Sequence, residues 1–168
     1  MMSNTLLESV VKKNRARLIP FMLALYVLAF LDRSNIGFAK ETYQLDTGLS
    51  NEAYALGAGI FFVVYAFLGV PANLLMRKFG ARRWIGCTTL LWGVLSAAMA
   101  WADTEAKFLL VRTLLGAAEA GFFPGMIYLT SQWFPQQNRA SIMGLFYMGA
   151  PLALTLGSPL SGALLEMH

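Results

Sequence analysis

The sequence predicts an all-α integral membrane protein with five transmembrane helices, and three observations carry that prediction. Five apolar stretches of about twenty residues each alternate with short charged connections, and roughly 20 apolar residues are what a helix needs to cross ~30 Å of hydrocarbon. Hydrophobic residues make up 57% of the 168-residue chain and charged residues only 13%, too few to cover the surface of a soluble domain. The charges that remain are sorted by side, as the positive-inside rule requires. Backbone in lipid must satisfy its own hydrogen bonds, so stretches of this length read as helices. Barrel strands are shorter and alternate in polarity, and this chain does not.

Residues 1–17 form a basic N-terminal segment carrying Lys12, Lys13, Arg15 and Arg17. The spans are read as 18–39, 53–76, 84–102, 108–131 and 140–165. Between the first two lies the polar stretch 41–52, the longest connection, with Asp46, Gly48, Ser50 and Asn51. Arg77, Lys78, Arg82 and Arg83 fill a tight turn around Gly80, and Arg139 follows Pro135 before the fifth span. These residues and the N-terminal four are nine of the thirteen basic residues. Lys40 and Lys107 lie on the opposite side with Glu41, Asp46, Glu52, Asp103, Glu105 and Glu166. The N-terminus is therefore expected in the cytoplasm and His168 outside. The net charge of +4 is a topology signal, not a nucleic-acid footprint.

The first span is too long for a signal h-region and has no small-residue cleavage site, so no cleavable signal peptide is expected. Trp84, Trp101 and Trp133 fall at span ends, as an aromatic belt would place them, whereas Trp92 reads as packing. The single cysteine, Cys87, excludes a disulfide framework and is expected as a small packing residue in the third span. Glycines cluster in the second, fourth and fifth spans (Gly57, Gly59; Gly116, Gly121, Gly125; Gly144, Gly149, Gly157, Gly162), letting backbones approach closely. Pro124, Pro151 and Pro159 are expected to kink the helices that hold them.

Four charges stand where lipid disfavours them. Ending the first span at Leu31 would leave fourteen residues, about 21 Å and too short to cross. Continuing through Asp32 and Arg33 to Ala39 gives about 33 Å. Glu119 lies about 16 Å into the fourth span, near the midplane. Arg112 is seven residues earlier, two turns away on nearly the same face. Gly116 between them leaves room for a ligand or a neighbouring helix. By rise per residue the four charges fall at overlapping depths, and they are expected to meet in one cavity.

Charges at the bilayer centre cost at least ~2.5–3.5 kcal/mol each on insertion scales and usually mark a pathway. An arginine offers a planar fork of donors suited to carboxylate, and a carboxyl in low dielectric can exchange protons in the physiological range. Together they form a minimal set for a proton-coupled anion carrier. Tyr65, mid-span in the second helix, is a candidate hydroxyl or a packing residue.

Three segments carry a family resemblance: LDRSNIGFA (31–39), NLLMRKFGARRW (73–84) and RTLLGAAEAGFFPG (112–125). Over almost its whole length the chain resembles the N-terminal part of a major facilitator superfamily transporter. It is most similar to the anion:cation symporter branch of sugar-acid and phthalate permeases. The resemblance implies proton-driven uptake of a sugar-acid monocarboxylate such as L-rhamnonate by alternating access, in a bacterial inner membrane. Arg33, Tyr65 and Arg112 would bind substrate, and Asp32 and Glu119 would couple protons. Asn73, Arg77, Lys78, Gly80, Arg82 and Arg83 form the inter-helix loop motif. Asn73 and Arg77 stand where the superfamily pattern has glycine and aspartate, so its carboxylate–arginine latch is not expected. The run Gly157–Gly162 echoes the fifth-helix glycine-proline motif.

The family has twelve spans in two six-helix halves, and this chain holds five, an incomplete N-terminal six-helix bundle. The expected partners are the lipid bilayer, a small anionic substrate and the C-terminal half, and the chain alone is not expected to transport. Sequence alone leaves a non-transporting fragment or assembly partner, its buried charges serving as structural ion pairs, as the alternative. A channel would not need both an arginine fork and titratable acids. A membrane enzyme has no support, because His168 is the only histidine and neither metal-ligand spacing nor a phosphate-binding glycine loop occurs. No cofactor is expected beyond the proton as coupling ion.

Overall fold

The computed structural model describes residues 2–165, with side chains from 8 to 163. Glu166 and His168, expected beyond the fifth span, lie outside the described residues. Among the described residues every regular element is helical: α1 (Met2–Phe38), α2 (Lys40–Thr47), α3 (Asn51–Phe79), α4 (Ala81–Ala98), a 3-10 turn (Met99–Trp101), α5 (Glu105–Glu119), α6 (Phe122–Trp133), α7 (Gln136–Tyr147) and α8 (Gly149–Leu165). Five spans are long and apolar enough to cross a membrane: Glu8–Phe38, Asn51–Phe79, Ala81–Trp101, Glu105–Trp133 and Gln136–Ala163.

Two spans consist of two α-helices each, and proline explains both breaks. Pro124 has no N–H to give the carbonyl of Ala120, and α5 stops at Glu119 before α6 begins at Phe122. Pro151 likewise leaves the carbonyl of Tyr147 without its donor, and the fifth span divides between α7 and α8. Pro159 behaves differently and sits inside an unbroken α8.

The chain divides into two compact units, residues 36–125 and residues 1–35 with 126–168. In the first unit α5 packs along α3 and against α4. Phe61, Met76 and Phe108 are fully buried there. The contact needs glycine: a Cβ on Gly57 would overlap the Phe108 ring at 2.2 Å, and one on Gly116 would lie 2.5 Å from the Phe61 carbonyl. Gly121 faces Ala72 and Trp84, and Gly125 faces Met76. Gly59 has open space around it and serves no such contact.

The polar stretch after the first span contains α2, which runs from Lys40 and ends where Gly48 adopts the left-handed region (φ 69). Tyr43 of α2 meets Tyr54 edge-on, packs at a tilt against Phe108 and donates its hydroxyl to the Ala102 carbonyl at 2.5 Å. Burial, and then the neighbouring Asp103 charge, push the Tyr43 pKa up. Asp103 itself is held below its usual range by Lys107, whose Nζ donates to it at 2.6 Å. Tyr54 donates its hydroxyl to the Ile36 carbonyl.

In the second unit Tyr26 of α1 packs on Phe146 of α7, with ring centroids 4.4 Å apart, and Gly149 lies tight against Tyr26. Ser161 of α8 donates to Asn35 at 3.1 Å. Arg139 does more than sort charge, because its fork donates to the carbonyls of Ser131 and Phe134 (2.7 and 2.9 Å) and closes the end of α6. Gly144 and Gly162 have open space around them.

Trp101 and Trp133 are exposed at span ends and Trp92 is buried against Phe122. Trp84 is half-buried and stacks parallel to Phe79. Cys87 is exposed on α4 and packs no interior, a correction to its expected role. Residues on that face of α4, such as Leu90, Leu91 and Val94, are exposed and apolar as well.

Candidate functional site

The site is built on α5. Arg112 and Glu119 are 2% and 1% exposed, and their seven-residue spacing sets them about 10 Å apart along one helix face. The Nε of Arg112 donates to the Gly57 carbonyl of α3 at 3.2 Å. Its guanidinium lies 4.5 Å from the centroid of the Phe61 ring, a cation–π contact strengthened by desolvation. Phe61 in turn stacks on Tyr65 at 6.1 Å and 21°. Gly57, Phe61 and Tyr65 thus form an i, i+4, i+8 stripe along α3 against which the arginine is set.

This arrangement decides what occupies the gap at Gly116. The backbone of Phe61 fills it, so the space between Arg112 and Glu119 holds the neighbouring helix. Glu119 is the last residue of α5, immediately before the break that Pro124 imposes. Its carboxyl therefore stands beside an interruption in the helix and not in mid-helix.

Asp32 and Arg33 belong to the other unit. Both are half-buried, and α1 continues without interruption past them to Phe38, so Leu31 is not a helix end. Adjacent helix positions point about 100° apart, so the two side chains leave α1 in different directions. The sequence singled out Arg112, Glu119 and Tyr65 as candidates, and did not reveal Phe61 and the Gly57 carbonyl, which hold the arginine. The four-residue spacing of Gly57, Phe61 and Tyr65 on the second span was the readable signal. Which helix faces it was not.

The loop motif forms the α3–α4 turn. Gly80 closes it at φ 85, a region that favours glycine. Arg77 and Lys78 lie in the last turn of α3, where positive charge complements the helix dipole. Arg82 and Arg83 are exposed at the start of α4. The side-chain oxygen of Asn73 and the indole nitrogen of Trp84 are buried without a hydrogen-bond partner among the described residues. Also among them, no three histidine, cysteine or acidic side chains cluster as a metal site.

Five spanning helices with buried charges inside them define a multi-pass membrane protein of transporter architecture. Residues 22–168 match the Major Facilitator Superfamily, and the chain belongs to that family. It is 92% identical over 167 residues to the inner membrane transport protein RhmT of Escherichia coli K12, covering 99% of this chain and 39% of that protein. It is 49% identical over 166 residues to a protein of Agrobacterium vitis provisionally named a tartrate transporter, covering 99% of this chain and 37% of the relative. The fold matches a bacterial homolog of the human lysosomal transporter Spinster, solved in an inward-facing, occupied conformation. That match has a TM-score of 0.83 at 22% identity and covers 89% of this chain and 32% of the other. The chain spans about two fifths of the length of the curated relatives it matches. These relatives are membrane transporters and not enzymes.

Proposed function

We propose that this chain forms the N-terminal part of a proton-coupled carrier for sugar-acid monocarboxylates such as L-rhamnonate, working by alternating access with its N-terminus in the cytoplasm. The observation that carries the reading is that Arg112 and Glu119 are both almost fully buried on one face of an apolar span. A guanidinium presents a planar fork of donors, and a carboxylate is the anion that fork fits best. Arg33 and Arg112 bind the substrate carboxylate, with Tyr65 contributing its hydroxyl. Asp32 and Glu119 exchange protons as the carrier cycles. The Gly57 and Phe61 contacts support the role of Arg112, because a guanidinium already fixed in place loses less freedom when a ligand binds. The name of the Agrobacterium relative points to the same chemical class, a hydroxylated carboxylate.

The test is uptake of radiolabelled L-rhamnonate into proteoliposomes holding the full-length carrier with this chain as its N-terminal part. Saturable accumulation that needs an inward proton gradient and collapses with a protonophore is expected. Non-saturating current would indicate a channel instead. Vesicles holding this chain alone are expected not to accumulate substrate, and robust proton-driven uptake by them would refute the need for a second half.

A further inference from the structure

A cleft of about 310 Å³ lies within one unit, between the N-terminal part of α1 and the start of α7. Lys12 and Arg15 line it from α1, Gln137 and Asn138 line it from α7, and Glu8 stands at its edge. Its size falls within the ~300–1,000 Å³ of small-ligand sites. Neither Lys12 nor Arg15 has an ion-pair or hydrogen-bond partner among the described residues. Two cations and two amides line one concavity, a donor set complementary to a phosphate oxyanion.

We infer that this cleft binds the phosphate of an anionic phospholipid headgroup. Depth selects the lipid over a free phosphate ion. The apolar part of α1 begins at Leu18, three residues and about 4.5 Å beyond Arg15, which sets the cleft at headgroup level. Val11 and Pro135 give it an apolar wall, and Phe21 and Leu28, farther along α1, are exposed to acyl chains. Basic pockets between membrane helices at this level are suited to acidic headgroups. The site uses none of the residues assigned to substrate or protons and stands or falls independently of the transport reading.

The test uses the purified chain in a neutral detergent, titrated with short-chain phosphatidylglycerol, short-chain phosphatidylcholine or inorganic phosphate. Thermal midpoint and phosphorus NMR line width are the readouts. Phosphatidylglycerol is expected to raise the midpoint and broaden the line, with the other two probes weaker by about tenfold or more. The double variant K12A/R15A is expected to lose this response. K13A/R17A, which removes the same charge from exposed residues outside the cleft, is expected to keep it. E8Q is expected to tighten binding, and it tests the site even where K12A/R15A fails to fold. Equal loss in K13A/R17A, no change in E8Q, or equal response to phosphatidylcholine would overturn the inference. Inorganic phosphate matching the lipid would overturn the lipid assignment and leave a free-phosphate site.

Discussion

Arg112 and Arg33 are the same side chain in two settings. Arg112 is 2% exposed and is held by a helix carbonyl and an aromatic ring. Arg33 is half-buried on an unbroken helix, five residues before its end. The difference shows two ways in which a charge persists in an apolar chain. Arg112 is compensated by close helix packing that only glycine at positions 57 and 116 permits. Arg33 keeps partial access to whatever lies outside its helix. Stability is accordingly expected to depend on Arg112 and transport on both.

The strongest way to break this contrast is to push α3 and α5 apart. Gly116→Val would drive its branched side chain into the Phe61 backbone, which cannot swing aside as a side-chain tip can. Loss of the monodisperse folded peak in size-exclusion chromatography is expected, whereas Gly59→Ala, with open space around it, is expected to retain it.

Next in size are the arginines. Arg112→Ala is expected to abolish uptake by the full-length carrier and also to lower the thermal midpoint. It removes a hydrogen bond from a charged donor, ~1.5–3 kcal/mol, and a cation–π contact of ~0.5–2 kcal/mol. Arg33→Ala is expected to abolish uptake while shifting the midpoint far less. Equal destabilisation by the two would erase the distinction.

The smallest effect belongs to Tyr43. Tyr43→Phe removes one hydrogen bond to Ala102 and is expected to cost ~0.5–1.5 kcal/mol in a thermal or denaturant unfolding series. The hydroxyl has a pKa raised above its ordinary 10.0 in the folded chain. Its contribution is thus fully present below about pH 10 and is lost as pH rises through the higher folded value. The variant is expected to lose that alkaline sensitivity.

Much of this architecture was legible in the sequence, because a bilayer of known thickness sets helix length. That argument carried α1 through Asp32 and Arg33, and the helix indeed runs on to Phe38. Pro124 and Pro151 foretold interruptions, and both spans divide there, while Pro159 is absorbed without a break. The helix α2 was not legible, since its polar residues carry no membrane signal and its order comes from Tyr43 packing under Ala102. Cys87 was misread because apolar content does not say which face of a helix meets another helix. The partners of Arg112 escaped for the same reason. Periodicity aligns Gly57, Phe61 and Tyr65, but only tertiary packing brings α5 against them.

The central proposal is that Glu119, buried at the end of α5 on the same helix face as Arg112, moves protons for an anionic substrate. Glu119→Gln in the full-length carrier tests it most directly, with accumulation driven by an inward proton gradient and substrate exchange at equal pH measured side by side in proteoliposomes. Gradient-driven accumulation is expected to vanish while exchange persists. Undiminished accumulation by the variant would contradict the account.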